Sequence, residues 1–289
     1  MIDNFLTDFH VRRPMMSDLE VVHRLLEACD IAEYGAPDLT LDDLRSMWQG
    51  PTFHLATDAW MVYVPGDQLV GYADVQHRQH VRAYAFVRVL PEFVGKGIEE
   101  HLLNLAEEWT QRQIPQAQSD ARVTLLTWES SVNITAQQAL LQAGFQEVRR
   151  SWRMEIGMSQ APIAPKWPDQ VTVRTFKPGQ DDRAVFEAID EAFQDHWGHM
   201  GGGYEEWKHW TIERENFDPS LWFLAFESGE IAGASLCTYQ RDDGWVDTLA
   251  VRRPWRRKGL GMALLLHSFG EFYRRGKYKV GLGVDSQNL

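Results

Sequence analysis

Cysteine is almost missing from this sequence of 289 residues: there are two, Cys29 and Cys237, one in each half. That excludes a disulfide framework and leaves no cysteine spacing able to ligate a metal, so both read as buried bystander thiols. No apolar run approaches the length of a membrane span, and the opening Met1-Ile2-Asp3-Asn4-Phe5 has an acid where a signal peptide would carry Lys or Arg. A cytoplasmic protein without membrane attachment is expected. Basic residues are in deficit as well. Against 41 Asp and Glu stand 29 Lys and Arg, a net charge of −12, and such a surface repels nucleic acid and anionic lipid. The deficit is uneven, −9 over residues 1–158 and −3 over 159–289. Core-forming residues are in ordinary supply, 44% hydrophobic with 24% charged, so a chain of this length accommodates two domains with a core each.

The chain repeats itself. Val11-Arg12 maps onto Val173-Arg174, Gly71 onto Gly233 and Gly97 onto Gly259, all at an offset of 162. After the last anchor the offset falls to 155, where Asn133 meets Asn288, and the polar loop 114–120 of the first half accounts for the difference. Apolar periodicity predicts a helix carrying Leu19, Val22, Leu25, Leu26 and Cys29, and a second opening at Thr40. Strands follow around 60–64, 69–75 and 84–89, then a helix from Ile98, a strand at 123–128, a helix over 134–143 and a strand around 148–156. Each half thus reads β-α-α-β-β-β-α-β-α-β, an α/β mixed sheet with helices on both faces. The prolines of 159–168 mark a linker between domains at 1–158 and 169–289.

One stretch of the second half carries chemistry. Val246-Asp247-Thr248-Leu249-Ala250-Val251 reads as a strand, and Met262-Ala263-Leu264-Leu265-Leu266 opens a helix. Between them, Arg256-Arg257-Lys258-Gly259-Leu260-Gly261 sets two glycines at a helix mouth, where unpaired N–H groups and the helix dipole favour an anion. Arg252 and Arg253 add to the positive charge. No Gly-Lys-Ser/Thr follows and the three-glycine dinucleotide spacing is missing, which excludes both of those phosphate loops.

Leu-Ala-Val, a proline and Arg-x-x-Gly-x-Gly before a Leu-rich helix resemble the acetyl-CoA motif of the GCN5-related N-acetyltransferase (GNAT) superfamily, and the likeness extends over nearly the whole chain. Two tandem domains of this size look like the mycothiol synthase group. The resemblance implies that Leu249, Ala250 and Val251 present backbone groups to the pantetheine arm. It implies that Arg256, Arg257, Lys258, Gly259, Leu260, Gly261 and Met262 hold the pyrophosphate, with Asn288 also at the cofactor.

By the same comparison the first copy is degenerate. Arg256 corresponds to Val94 and Gly261 to Glu99, so a carboxylate takes the place of the pyrophosphate. The family's general-acid tyrosine falls at Leu140, which has no proton to give.

Transfer to an amine needs a base, and Asp247 on the strand beside Leu249 and Val251 is one candidate; a hydrogen-bonded carboxylate at a strand end is the alternative. Phe193-Gln194-Asp195-His196-Trp197-Gly198-His199-Met200 and three glycines, Gly201–Gly203, form an aromatic loop suited to cover an acceptor. Asp195 and His196 are its candidates for acceptor contact or proton transfer. His196 and His199 have no third ligand in view, so no metal is expected.

The family would continue past Gln287-Asn288-Leu289 into a further helix and strands. The second domain is therefore expected to be incomplete, with an exposed apolar patch and a tendency to self-associate as a homo-dimer. The expected activity is acetyl-CoA-dependent acetylation of a small-molecule primary amine by direct attack in a ternary complex. The alternatives are acetylation of a protein N-terminus or lysine, and a non-catalytic acyl-CoA-binding protein.

Overall fold

The structure, a computed structural model, describes residues 9–288. It divides into two compact units, residues 1–146 and 147–289. In the first, β1 (His10–Arg12) leads to α1 (Leu19–Tyr34), α2 (Leu41–Trp48) and the single turn α3 (Leu55–Asp58). Then come β2 (Ala59–Val64), β3 (Gln68–Arg78), β4 (Arg82–Val89), α4 (Ile98–Gln113), β5 (Thr124–Thr127) and α5 (Ile134–Gln142). The sheet order is β1-β2-β3-β4-β5, antiparallel except for the parallel pair β4 and β5.

Local chemistry sets the boundaries. The Thr40 hydroxyl accepts the Asp43 N–H at 3.1 Å and Asn133 Oδ1 accepts the Ala136 N–H at 3.1 Å, so each caps its helix. Apolar side chains on one face of the sheet pack with α1 and α2, those on the other with α4.

The second unit holds β6 (Ser151–Gly157), β7 (Thr172–Thr175), α6 (Asp182–Phe193), α7 (Tyr204–Thr211), β8 (Trp222–Glu227) and β9 (Glu230–Gln240). It ends with β10 (Asp243–Val251), α8 (Leu260–Arg274) and β11 (Lys279–Asp285), and its sheet order is β6-β11-β10-β9-β8-β7.

The repeat is visible in detail. Arg12 grips Asp18 through both terminal nitrogens at 2.7 and 2.6 Å, and Arg174 grips Asp181 likewise at 2.6 and 2.8 Å. The glycine anchors have a steric cause: a Cβ on Gly71 would stand 2.9 Å from Ile98 Cγ2, and one on Gly233 would stand 2.7 Å from the Ala250 carbonyl oxygen.

Two sequence expectations change here. The strand expected to close the first half, β6, pairs instead along β11 from Lys279↔Gly157 to Asp285↔Ser151. The division between the units accordingly lies after Gln146 rather than at 158, and residues 159–168 run within the second unit, where Met158 joins the core. The second sheet is therefore not short of its sixth strand; that place is filled by a segment read from sequence as the end of the first repeat. Apolar exposure does occur, on β6 itself, where Trp152, Met154 and Ile156 share one face at 53%, 55% and 40% exposure. Among the described residues no helix is long and apolar enough to cross a membrane.

Candidate active site

The parallel strands β10 and β11 pair only at Gly244↔Val280, Trp245↔Gly281 and Val246↔Leu282. Past Val246 they part, while β11 stays paired with β6 and β10 with β9. The Arg252 N–H bonds the Ala232 carbonyl at 3.0 Å. By the alternation of an antiparallel ladder the peptide groups of Ala250 then face β9, and those of Leu249 and Val251 face the parting. Of the three residues expected to offer backbone groups, two are oriented to do so. Of these, the Val251 carbonyl also accepts Arg256 Nε at 3.1 Å.

Asp247 stands where the strands separate, on a β-bulge: Val246 pairs with Cys237 and Thr248 with Leu236, leaving Asp247 without a partner in the register. The simple alternation that would set Asp247 on the face of Leu249 and Val251 is thus broken. The first unit has no bulge here, since β3 and β4 pair without a shift from Gly71↔Val89 to Arg78↔Arg82. Asp247 borders a shallow, partly open cleft lined by Trp210, Trp222 and Phe217 and carrying Arg214 and Thr238. Asp247 is solvent-exposed at the edge of this cleft; the side chains crowded around it raise its pKa, and the positive charge of Arg214 opposes the rise.

At the far end of β10 the chain makes a short 3₁₀ turn over Arg253–Trp255 and enters the glycine segment. Gly259 caps α8 at φ 84° and ψ 0°, in the left-handed region. Arg257 is also left-handed, at φ 61°, a conformation that costs a non-glycine residue on the order of 1–2 kcal/mol. A Cβ on Gly261 would meet only Val251 Cγ2, at an ordinary 3.6 Å. The protein's own packing therefore does not require glycine at 261. With no side chain at 261, the space over the helix mouth stays open.

The cations of this segment divide into two sets. Arg252 donates to Glu191 at 2.6 Å and to the Ile231 carbonyl at 2.9 Å. Arg256 is drawn inward by the carbonyls of Val251 and Ala192 and by Asp195. Arg257 and Lys258 are exposed and make no ion pair among the described residues.

Asp195 is placed with the glycine turn, not in the cleft with Asp247. Hydrogen bonds from Arg253 and then Arg256 hold its carboxyl well below the usual carboxylate range, so it stays ionised and is unsuited to proton transfer. His196 Nδ1 lies 3.0 Å from the Trp197 carbonyl, within its own turn. Asn288 is exposed, its N–H bonded to the Asp285 carbonyl at 3.0 Å. His199 lies 3.2 Å from Asp190, and among the described residues no group of three or more His, Cys, Asp or Glu side chains is set to hold a metal. Both cysteines are buried, and burial pushes the Cys29 thiol up to about 12 and the Cys237 thiol up to about 11.

The pocket residues Trp210, Arg214, Trp222, Cys237 and Thr238 were not legible beforehand. They come from α7, the segment after it, β8 and β9, and no short motif joins them.

A mixed sheet whose central parallel strands part beside a glycine turn, repeated in tandem, is the architecture of an acyl-CoA-dependent acyltransferase. The family model for the acetyltransferase (GNAT) family matches residues 19–145 and 183–289, and the chain belongs to that family. It is an acetyl-CoA-dependent N-acetyltransferase. Its relatives include the mycothiol acetyltransferase of Thermobispora bispora, 28% identical with 96% of this chain and 90% of that protein covered. The mycothiol acetyltransferase of Thermobifida fusca is 30% identical, with 82% and 76% covered. Among solved structures, a GCN5-related N-acetyltransferase from Sphaerobacter thermophilus is 36% identical with a TM-score of 0.80, covering 97% of this chain and 88% of that one. A tandem GNAT protein from the clavulanic acid biosynthesis pathway shares the fold at a TM-score of 0.71, with 16% identity and coverage of 98% and 91%.

Proposed function

We propose that the second unit performs the acetyl transfer, and that the acceptor is a primary amine on a small molecule which attacks directly while both substrates are bound. The observation that carries this reading is the course of β10: it runs from an acidic bulge beside an aromatic cleft, along a backbone edge released by β11, to a helix mouth that Gly261 leaves open.

Acetyl-CoA, when bound, supplies an acetyl group activated as a thioester. The N–H groups from Arg257 to Met262 are those that would hold its pyrophosphate, supported by Arg257 and Lys258. Leu249 and Val251 offer peptide groups along the parting, and an N–H there suits the negative charge that develops on the carbonyl oxygen. Asp247 takes the proton that an ammonium must lose before it attacks, directly or through a water; its raised pKa brings it nearer to that task.

Cys237 lines the same pocket, yet its thiol is pushed up to about 11 by burial, so thiolate is scarce and direct attack is favoured over an acetyl-cysteine. The relatives named mycothiol acetyltransferase favour a small acceptor over a polypeptide, and the aromatic lining of the cleft suits one. The first unit serves as a structural or acceptor-shaping domain, because its own turn is closed by Glu99: the carboxylate accepts the Gly95 N–H at 3.3 Å.

Thiol release from acetyl-CoA with a panel of small primary amines tests the reading. Turnover with at least one amine, reduced roughly a hundredfold in Asp247→Asn while cofactor binding persists, is the expected result. Turnover unchanged by that substitution removes Asp247 as the base. Cofactor binding without turnover on any amine overturns the catalytic reading.

A further inference from the structure

The loop leaving α6 is fastened twice, on opposite sides of the parting between β10 and β11. On the β10 side, Asp195 receives Arg253 Nε and Nη2 at 3.0 and 2.7 Å and Arg256 Nη1 at 2.9 Å. On the β11 side, the Trp197 ring lies under the Arg149 guanidinium, 5.4 Å from its centroid. Arg149 in turn donates to Asp285 Oδ2 at 2.6 Å and Gln287 Oε1 at 2.5 Å, at the end of β11. Residues 195–197 therefore form a strap across the mouth of the cleft. Beyond it, the His199 N–H bonds the His196 carbonyl at 3.0 Å, and Gly201–Gly203 follow as a natural hinge.

A carboxylate held by two guanidinium groups, one of them through two nitrogens, occupies the geometry in which arginine also takes a phosphate. These are surface pairs: Asp195 is 54% exposed, Arg253 48% and Arg256 36%. Such pairs contribute little to stability, and a more highly charged phosphate competes well with a single carboxylate. We propose that Asp195 is a placeholder for a phosphate of the cofactor. A cofactor phosphate takes over Arg253 and Arg256, Asp195 lets go, and the strap swings off the cleft about Gly201–Gly203. The proposal rests on the second unit being the acetyl-CoA site, and it makes Asp195 a positioning residue.

The test combines calorimetric affinity with hydrogen exchange of residues 194–203 in the full chain, using CoA and dephospho-CoA on wild type, Asp195→Asn and Asp195→Glu. CoA should speed exchange of the strap in wild type. In Asp195→Asn the strap should exchange fast from the start, and CoA should bind about threefold to tenfold more tightly, the range expected when surface pairs no longer compete. Asp195→Glu, which keeps the charge, should behave like wild type. Opening by CoA alone assigns the 3′-phosphate as the competitor, and opening by dephospho-CoA assigns the pyrophosphate; either supports the exchange. CoA binding that leaves the strap protected, or an Asp195→Asn that binds CoA more weakly, overturns it. Failure of all three proteins to bind CoA overturns the functional reading itself, and the exchange with it.

Discussion

Residues 94–99 and 256–261 follow one backbone and place opposite chemistry on it. Gly97 and Gly259 cap their helices at φ 81° and 84°, and the left-handed position two residues earlier is Gly95 at 76° in one turn and Arg257 at 61° in the other. In the first turn Glu99 folds its carboxylate back onto the Gly95 N–H. In the second, Gly261 has no side chain and Arg257 keeps a strained conformation with its charge outward. A helix mouth needs its N–H groups satisfied, and this protein does so once with its own carboxylate and once in a way suited to a ligand's phosphate. The strands agree with the turns. The bulge at Asp247 has no counterpart in β4, and Arg88 stands in the first unit where Ala250 stands in the second.

The largest expected effect erases the difference at the turn. Gly261→Glu brings a carboxylate to the phosphate position, where like charges about 4 Å apart repel by about 4 kcal/mol at a partly shielded surface. Acetyl-CoA affinity should fall by roughly a thousandfold in calorimetry, with the melting temperature little changed. Next comes Asp247→Asn, which should lower kcat by roughly a hundredfold and flatten the acid limb of the pH–rate profile, since a base must be ionised to act.

A third prediction concerns stability. Asp74 is 1% exposed and neither carboxylate oxygen makes a well-formed hydrogen bond among the described residues; burial pushes its carboxyl up to about 7 from 3.8, against the opposing influence of the neighbouring Tyr72, and the corresponding residue of the second unit is Leu236. A carboxyl raised in the folded state contributes its full stability below about pH 4 and loses it as the pH rises toward 7. Asp74→Asn should therefore melt like wild type near pH 4 and be more stable by on the order of 2–3 kcal/mol above pH 7, as urea titrations at several pH values can establish. The smallest effect is expected from Glu99→Gly, which frees the first turn without restoring the arginine missing at Val94: a weak second CoA site at most, seen by calorimetry at high ligand concentration.

Much of this contrast was legible in the sequence. The offset of 162 predicts the equivalent glycines, the correspondence of β3 to β9 and that of Glu99 to Gly261, because backbone geometry repeats where glycine is required. Thr40, Asn133 and the helix starting at Ile98 are local signals, and local chemistry forms them. The partner of β6 was not legible, because the alternation of Trp152, Met154 and Ile156 is the same whichever sheet receives it. Nor was the bulge, since one extra residue in β10 leaves strand propensity unchanged. The attachment of Asp195 to Arg253 and Arg256 joins residues 58 and 61 positions apart, so sequence alone gave no sign that this carboxylate is bonded to the arginines of the glycine turn.

The most direct test of the central contrast is the stoichiometry of acetyl-CoA binding, measured by calorimetry on wild type and Gly261→Glu. One site per chain in wild type and none in the variant is the predicted result. A site that survives Gly261→Glu, or two equivalent sites in wild type, would contradict the assignment of the cofactor to the second unit.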